Sequence, residues 1–413
     1  MSTKFEFETR SIHSGLERDE LYGATSLPIY ETAAFAYQRA EDLEAVFAGR
    51  KPGYIYSRIN NPTVAAFERR INSLEEGLGA IATASGMAAI ATTVGTLTQS
   101  GDEIIASKSL FGGTLQFFNE VLASNGIKTV YVDPTDIEAY RRAFSSKTRL
   151  VFVETIGNPK LDIPDLRAIA RLANENNVPL VVDSTLTTPY LLEAKKFGVN
   201  IVIHSTSKYI AGSGQAIGGI LVDLGNFNWR NSKSELLVAM TRQAGEFAFL
   251  ARARKQILQN TGSCLAPFNA FLQNLGLETL ALRMKQHCEN ALRLAEFLKT
   301  QDLVGVNYPG LPEHAQYQLA KEQYRGFGAM ITIRLGSKER CFEVINRFQM
   351  VKQLANVGDA KTLVIHPAST IFHTYSEAEQ ETAGVYPDLI RISVGIENIK
   401  DIIDDFEQAL TGR

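Results

Sequence analysis

The chain has 413 residues, 45% hydrophobic and 21% charged, long enough for two or three packed units with a sizeable core. Its 42 basic and 45 acidic residues leave a formal charge of −3, with no Lys/Arg block that would mark a nucleic-acid or membrane footprint. Met1 to Arg10 carries charges throughout and no apolar h-region, and no segment is apolar over a bilayer's width, so a cytoplasmic protein is expected. Cys264, Cys288 and Cys341 are widely spaced, as suits buried thiols in a reducing compartment. The six histidines form no HxxxH or HxH pair and have no Cys close by, so no metal is expected.

In chain order, residues 1–65 have weak periodicity and the turn-rich stretches GRKPGY (49–54) and INNPT (59–63), which predict an irregular N-terminal arm. From about residue 66 short apolar runs alternate with amphipathic stretches. GAIATAS (79–85), DEIIAS (102–107), KTVYVD (128–133), RLVFVET (149–155), PLVVDST (179–185), NIVIHST (200–206) and GGILVD (218–223) are short and rich in Val and Ile, and predict strands buried on both faces. PDLRAIARLANENN (164–177) brings Leu166, Ile169, Ala170 and Ala173 round at helical spacing behind an early Pro. This alternation predicts an α/β unit over 66–265 with a mostly parallel sheet. Near 265 the pattern turns to long helical segments (268–301), then FGAMITIRLG (327–336) and a C-terminal helix at 398–410, which predict a smaller α+β unit over 266–413.

Open α/β sheets collect ligand groups at the carboxyl ends of their strands. Two such ends carry reactive side chains here, Asp183 and the segment His204-Ser205-Thr206-Ser207-Lys208. Lys208 admits three readings. It could be a solvated surface lysine. Ser205 to Lys208 could be the S-x-x-K of penicillin-binding enzymes, but the partner triplets S-D-N and K-T-G are absent from the chain. Or Lys208 could form a Schiff base, with Ser205 and Ser207 serving a cofactor phosphate. Pyridoxal phosphate is an electron sink only if an acid keeps its pyridine nitrogen protonated, and Asp183 on the neighbouring strand meets that demand. The phosphate also needs backbone N–H groups at a helix start, and Gly86 and Met87 follow a strand and open the helical AAIATTVGTL. The other glycine-rich stretch, 212–218, has one residue too many for G-x-G-x-x-G and precedes a strand, against a nucleotide fingerprint.

YSRINNPT (56–63), ASGMAA (84–89), ETIGNP (154–159), VVDST (181–185), HSTSKYI (204–210), HPAST (366–370) and DLIRISVGIE (388–397) together resemble, in order and over essentially the whole chain, the Cys/Met-metabolism family of pyridoxal-phosphate enzymes. The resemblance implies a fold-type I, aspartate-aminotransferase-like α/β architecture. It assigns Lys208 to the Schiff base, Asp183 to the ring nitrogen, and Gly86, Met87, Ser205 and Ser207 to the phosphate, with Thr185 among the cofactor contacts. It sends Tyr56 and Arg58 to the phosphate of a neighbouring subunit in a homotetramer of active-site-sharing dimers. It places Asn158 by the cofactor hydroxyl and substrate carboxylate, and gives that carboxylate to Arg391 as a bidentate pair, with Ser369 assisting.

One departure bears on the reaction. The family usually has Tyr-Gly where this chain has Phe111-Gly112. Phe111 keeps an aromatic face for stacking on the cofactor ring but has no proton to give a leaving group, although Tyr56 of the partner subunit could supply that acid. A thiolate leaving group should suffer most from the loss and a carboxylate least. This favours an acylated homoserine as substrate, and the N-terminal and C-terminal motifs, which look closest to the sulfhydrylase branch of the family, imply γ-replacement on O-acetylhomoserine by a sulfur donor, giving homocysteine in methionine biosynthesis. The runner-up is a methionine or cystathionine γ-lyase or a cystathionine γ-synthase, and a distant alternative is a non-catalytic sulfur-handling scaffold.

Overall fold

The computed structural model describes residues 5–16, 19 and 22–412, so residues 1–4 of the charged N-terminus lie outside it. All seven apolar runs between 79 and 223 form strands: β1 (Gly79–Thr83), β2 (Glu103–Ser107), β3 (Lys128–Val132), β4 (Thr148–Glu154), β5 (Leu180–Asp183), β6 (Ile201–His204) and β7 (Gly219–Asp223). They make one sheet in the order β1-β7-β6-β5-β4-β2-β3, parallel except that β7 runs against both its neighbours. The central strands are buried along almost their whole length because helices cover both faces, which is why their sequences are apolar without alternation.

A second sheet joins β8 (Gly305–Asn307), β9 (Met330–Arg334), β10 (Lys352–Gln353), β11 (Leu363–Ile365) and β12 (Leu389–Ser393) in the order β10-β11-β12-β9-β8. The helix Leu280–Lys299 packs on β8, β9 and the C-terminal helix Ile399–Thr411. The predicted segment 164–177 is a helix from Leu166 to Glu175. Asp165 caps it by accepting the Ala168 N–H at 2.9 Å, and Leu166, Ile169, Ala170 and Ala173 all face the core.

The first 65 residues are more regular than their weak periodicity suggests. They contain α1 (Phe7–His13), α2 (Ala40–Phe47) and the first turn of α3 (Pro62–Glu75). Helices of two turns are too short to display a 3.6-residue period, so pattern alone misses them. The start of this segment is tied to the large sheet's helices rather than hanging free. Arg70 on α3 is buried and donates to the carbonyls of Ile12, Ser14 and Asn274, joining the residues around α1 to the helix Pro267–Glu278. No helix of the described residues is long and apolar enough to cross a membrane.

Candidate active site

A cavity of about 440 Å³ opens at the carboxyl edge of the seven-stranded sheet and is closed on its far side by residues from the smaller sheet. Gly86, Met87, Phe111, Asn158, Asp183, Thr185, Ser205, Ser207, Lys208 and Arg391 all line it. Three predicted site residues do not. Tyr56 and Arg58 are exposed elsewhere, with the Arg58 guanidinium 5.6 Å from the Tyr56 ring centre and hydrogen-bonded to the Gln259 carbonyl. The Ser369 hydroxyl is instead engaged with His366 Nδ1 at 2.8 Å.

Strand register places the two groups that the sequence singled out. Asp183 is the last residue of β5, opposite Ile203 of β6, and Lys208 follows β6 by four residues. The connection from β6 to β7 is braced by Ser207, whose hydroxyl donates to the Gly218 carbonyl at 3.2 Å and accepts its N–H at 3.0 Å. Lys208 Nζ donates to Asn356 Oδ1 at 2.6 Å. Burial, helped by Arg391, brings its pKa down to about 8, so a useful share of the amine is neutral near physiological pH.

Asp183 accepts the Thr185 N–H at 2.9 Å, and Thr185 in turn takes the Ser205 N–H on its hydroxyl at 2.8 Å. Burial raises the Asp183 carboxyl, while Thr185 and His204 act in the opposite direction. A cation facing this carboxylate would stabilise its charge further. A protonated pyridine nitrogen is such a cation.

On the other flank α4 (Gly86–Leu97) starts against the same connection. Ser85 caps it through the Ala88 N–H at 3.1 Å, leaving the first N–H groups directed at the cavity rim. The approach is close. A Cβ on Gly86 would meet Ser205 Cβ at 2.6 Å, and one on Gly219 would meet the Ser85 carbonyl at 2.1 Å, so neither position takes a side chain without backbone movement. This gives an anion cradle of main-chain donors and hydroxyls. With an amine, an acid and an aromatic face around the same space, the residues present fit pyridoxal phosphate.

The far wall is built for a carboxylate. Arg391 on β12 is 4% exposed, donates to Asn158 Oδ1 at 3.1 Å and to the Asn356 carbonyl at 3.3 Å, and has no acidic partner among the described residues. A buried guanidinium held only by neutral acceptors keeps its fork available for a bidentate anion. Burial lowers its pKa to about 10, leaving it charged.

Of the lining residues outside the sequence reading, Glu154 and Asn356 bring polar groups that bind others in the site. Glu154 ends β4 next to Asp183 and accepts the Phe111 N–H at 2.6 Å. It was legible by the rule that picked out Asp183, since it is the one acid closing the apolar run RLVFVE. Asn356 had no such signal, because it reaches the site from a loop beyond β10.

The comparisons with known proteins agree with this geometry. The chain is 40% identical to the O-acetyl-L-homoserine sulfhydrylase of Leptospira meyeri, over 99% of this chain and 98% of that one. It is 38% identical to the L-methionine gamma-lyase of Fusobacterium nucleatum subsp. polymorphum, over 98% of both. A Campylobacter jejuni protein solved with N'-pyridoxyl-lysine-5'-monophosphate in its chain superimposes with a TM-score of 0.94 at 32% identity, over 98% of this chain and 100% of that one. The architecture is that of fold-type I pyridoxal-phosphate enzymes. A family model described as Cys/Met metabolism PLP-dependent enzyme matches residues 8–411, and the chain belongs to that family.

Proposed function

We propose that this protein catalyses γ-replacement on O-acetylhomoserine, exchanging acetate for a sulfur nucleophile to give homocysteine. The observation that carries the reading is Phe111, an aromatic face without a proton, in a cavity to which the chain's own described residues contribute no tyrosine, a neighbouring subunit's Tyr56 being assigned to the phosphate. Acetate departs as a stable anion and needs no proton, whereas a thiolate leaving group gains much from one. The naming of the Leptospira meyeri relative supports the same substrate.

Bound in the cavity, pyridoxal phosphate would act as an electron sink for negative charge at the substrate's Cα and Cβ. Lys208 would hold it covalently, Asp183 would keep the ring nitrogen protonated, and Gly86, Met87, Ser205 and Ser207 would take the phosphate, with Thr185 linking the two ends. Arg391 binds the substrate carboxylate through two of its three nitrogens, and Asn158 sets the plane of that guanidinium. With the substrate bound and its own amine free, Lys208 would be the base within reach. It takes the Cα proton and then helps to move a Cβ proton, after which acetate leaves Cγ and the sulfur nucleophile adds there. Atoms balance as O-acetylhomoserine plus hydrogen sulfide giving homocysteine plus acetic acid.

The same proposal assigns residues 1–65 to an arm, 66–265 to the cofactor domain and 266–413 to a C-terminal domain. Exposed Tyr56 and Arg58, lying outside their own cavity, would reach that of a neighbouring subunit, with two such dimers forming a tetramer. Ser369 would act only through its segment, since Ile371 lines the cavity and the Ser369 hydroxyl is held by His366. The three free cysteines fit a cytoplasmic location.

The test is a substrate panel on the purified protein. O-acetylhomoserine with sulfide should yield homocysteine much faster than methionine yields ammonia. The reverse order would favour γ-elimination, the reading supported by the L-methionine gamma-lyase relative.

A further inference from the structure

Glu154 is a buried acid in the cavity wall that the reaction sketched above does not use. It closes β4 and is paired in register with Asp183 on β5, so two carboxyl groups stand side by side at the edge of the sheet. It is 8% exposed, and its carboxyl accepts the main-chain N–H of Phe111 at 2.6 Å. Phe111 gains little from packing, because it is 41% exposed and turns its ring toward the open cavity. What holds it is backbone, since it caps the short helix α5 (Gly112–Gln116) and its own N–H ends on Glu154. The ring lies so close over Gly113 that a Cβ there would meet Phe111 Cε1 at 2.7 Å.

We propose that Glu154 is a positioning residue that fixes the Phe111 backbone, and with it the aromatic face against the cofactor, while Asp183 alone serves the pyridine nitrogen. This rests on the reading of the cavity as the cofactor site. The division follows from the surroundings of the two acids. Adjacent carboxyl groups taken out of water do not both ionise cheaply. Glu154 has burial, Asp183 and Asp162 all raising its pKa, opposed only by the Phe111 N–H. Burial raises the Asp183 pKa as well, but there the Thr185 hydroxyl and N–H and His204 all oppose it, so its charge is the better supported of the two. Glu154 is then the neutral partner, and its carbonyl oxygen is the acceptor for Phe111.

Infrared difference spectra of the apoprotein, wild type minus Glu154→Gln, should show the carbonyl stretch of a protonated carboxylic acid. Glutamine keeps a carbonyl oxygen for the Phe111 N–H, so Glu154→Gln should retain the pyridoxal phosphate dissociation constant within about twofold, together with the visible circular dichroism of the bound cofactor. Glu154→Ala should weaken binding about tenfold and reduce that circular dichroism. Gly113→Ala displaces the same ring without touching Glu154 and should give the same spectral change. The proposal is overturned if Glu154→Gln behaves like Glu154→Ala, if Glu154→Ala matches wild type, or if the acid band is missing. Should Glu154→Ala not fold, Gly113→Ala with an unaltered spectrum overturns it. Wild-type protein that binds no cofactor overturns the reading of the cavity as well, and the failures above differ from this because they leave wild-type binding intact.

Discussion

The seven-stranded sheet brings Glu154, Asp183 and the segment of Ser205 to Lys208 to the cavity from strand ends, while the five-stranded sheet reaches it through Arg391 on β12 and Asn356 on a loop. The first set is fixed by parallel register, in which Glu154 pairs with Asp183 and Asp183 with Ile203, so each group's position follows from the ladder. The second set is joined to the first by side-chain contacts, Lys208 to Asn356 and Arg391 to Asn158. Groups that would hold the cofactor therefore sit on one rigid edge, and the group that would hold the substrate carboxylate comes from the opposite wall. Substitutions on the two sides should separate into loss of cofactor chemistry and loss of substrate affinity.

The largest effect should come from the ladder side. Lys208→Ala should abolish the visible absorption of the bound cofactor and lower turnover by about 10³-fold or more, as expected when the amine that binds the cofactor and moves the protons is removed. A variant that kept the wild-type band and rate would break the comparison at its centre. On the opposite wall, Arg391→Lys should cost about 10- to 100-fold in kcat/KM, chiefly through KM, because a point charge replaces a planar fork. Its cofactor spectrum should be that of wild type. A bleached Arg391→Lys protein would show that the two walls do not divide the work.

Subunit mixing probes the third region, the arm. Lys208→Ala chains mixed with chains carrying Tyr56→Ala and Arg58→Ala should regain activity, since one cavity of each mixed dimer then has all its wild-type groups. Mixtures no more active than their parents would place Tyr56 and Arg58 outside the catalytic unit.

A smaller effect concerns the link between the two sheets. In apoprotein, acylation of Lys208 should rise with pH around a midpoint of about 8, because only the neutral amine reacts and burial with Arg391 depresses its pKa. Removing the like charge in Arg391→Met favours the ammonium, so the midpoint should move up. Mass spectrometry of the labelled peptide reads both values, and a midpoint near that of an ordinary lysine would contradict the burial argument.

The smallest effect is expected from Phe111→Tyr, which should change γ-replacement by only a few-fold. The same variant should raise ammonia release from methionine. Unchanged γ-elimination would remove the argument from the leaving group.

Much of this arrangement could be read from the residues, and the parts that could not have separate physical causes. The strands were legible because a strand buried on both faces is a short apolar run, and Asp183 and Lys208 stood out as polar groups just beyond such runs. Glu154 lay inside a recognised motif, yet its partner Phe111 is 43 residues away, and only the folded chain joins them. Asn356 belongs to a stretch without pattern whose place depends on how the two sheets pack. The Ser369 hydroxyl was expected near the substrate on resemblance, but a local bond to His366, three residues before it, takes up that hydroxyl. Helices α1 and α2 were too short to announce themselves by period.

The near contact of Gly86 with Ser205, and of Gly219 with Ser85, has a consequence for how this site tolerates change. The start of α4 and the connection that carries Lys208 are 119 residues apart in sequence at that contact, Gly86 to Ser205, yet they share one van der Waals surface. Substitutions in the two segments should therefore be non-additive. A side chain at residue 86 already displaces the segment that a second change at residue 205 would alter, so the second costs less than it does alone. The two segments constrain each other's sequence as though they were a single loop.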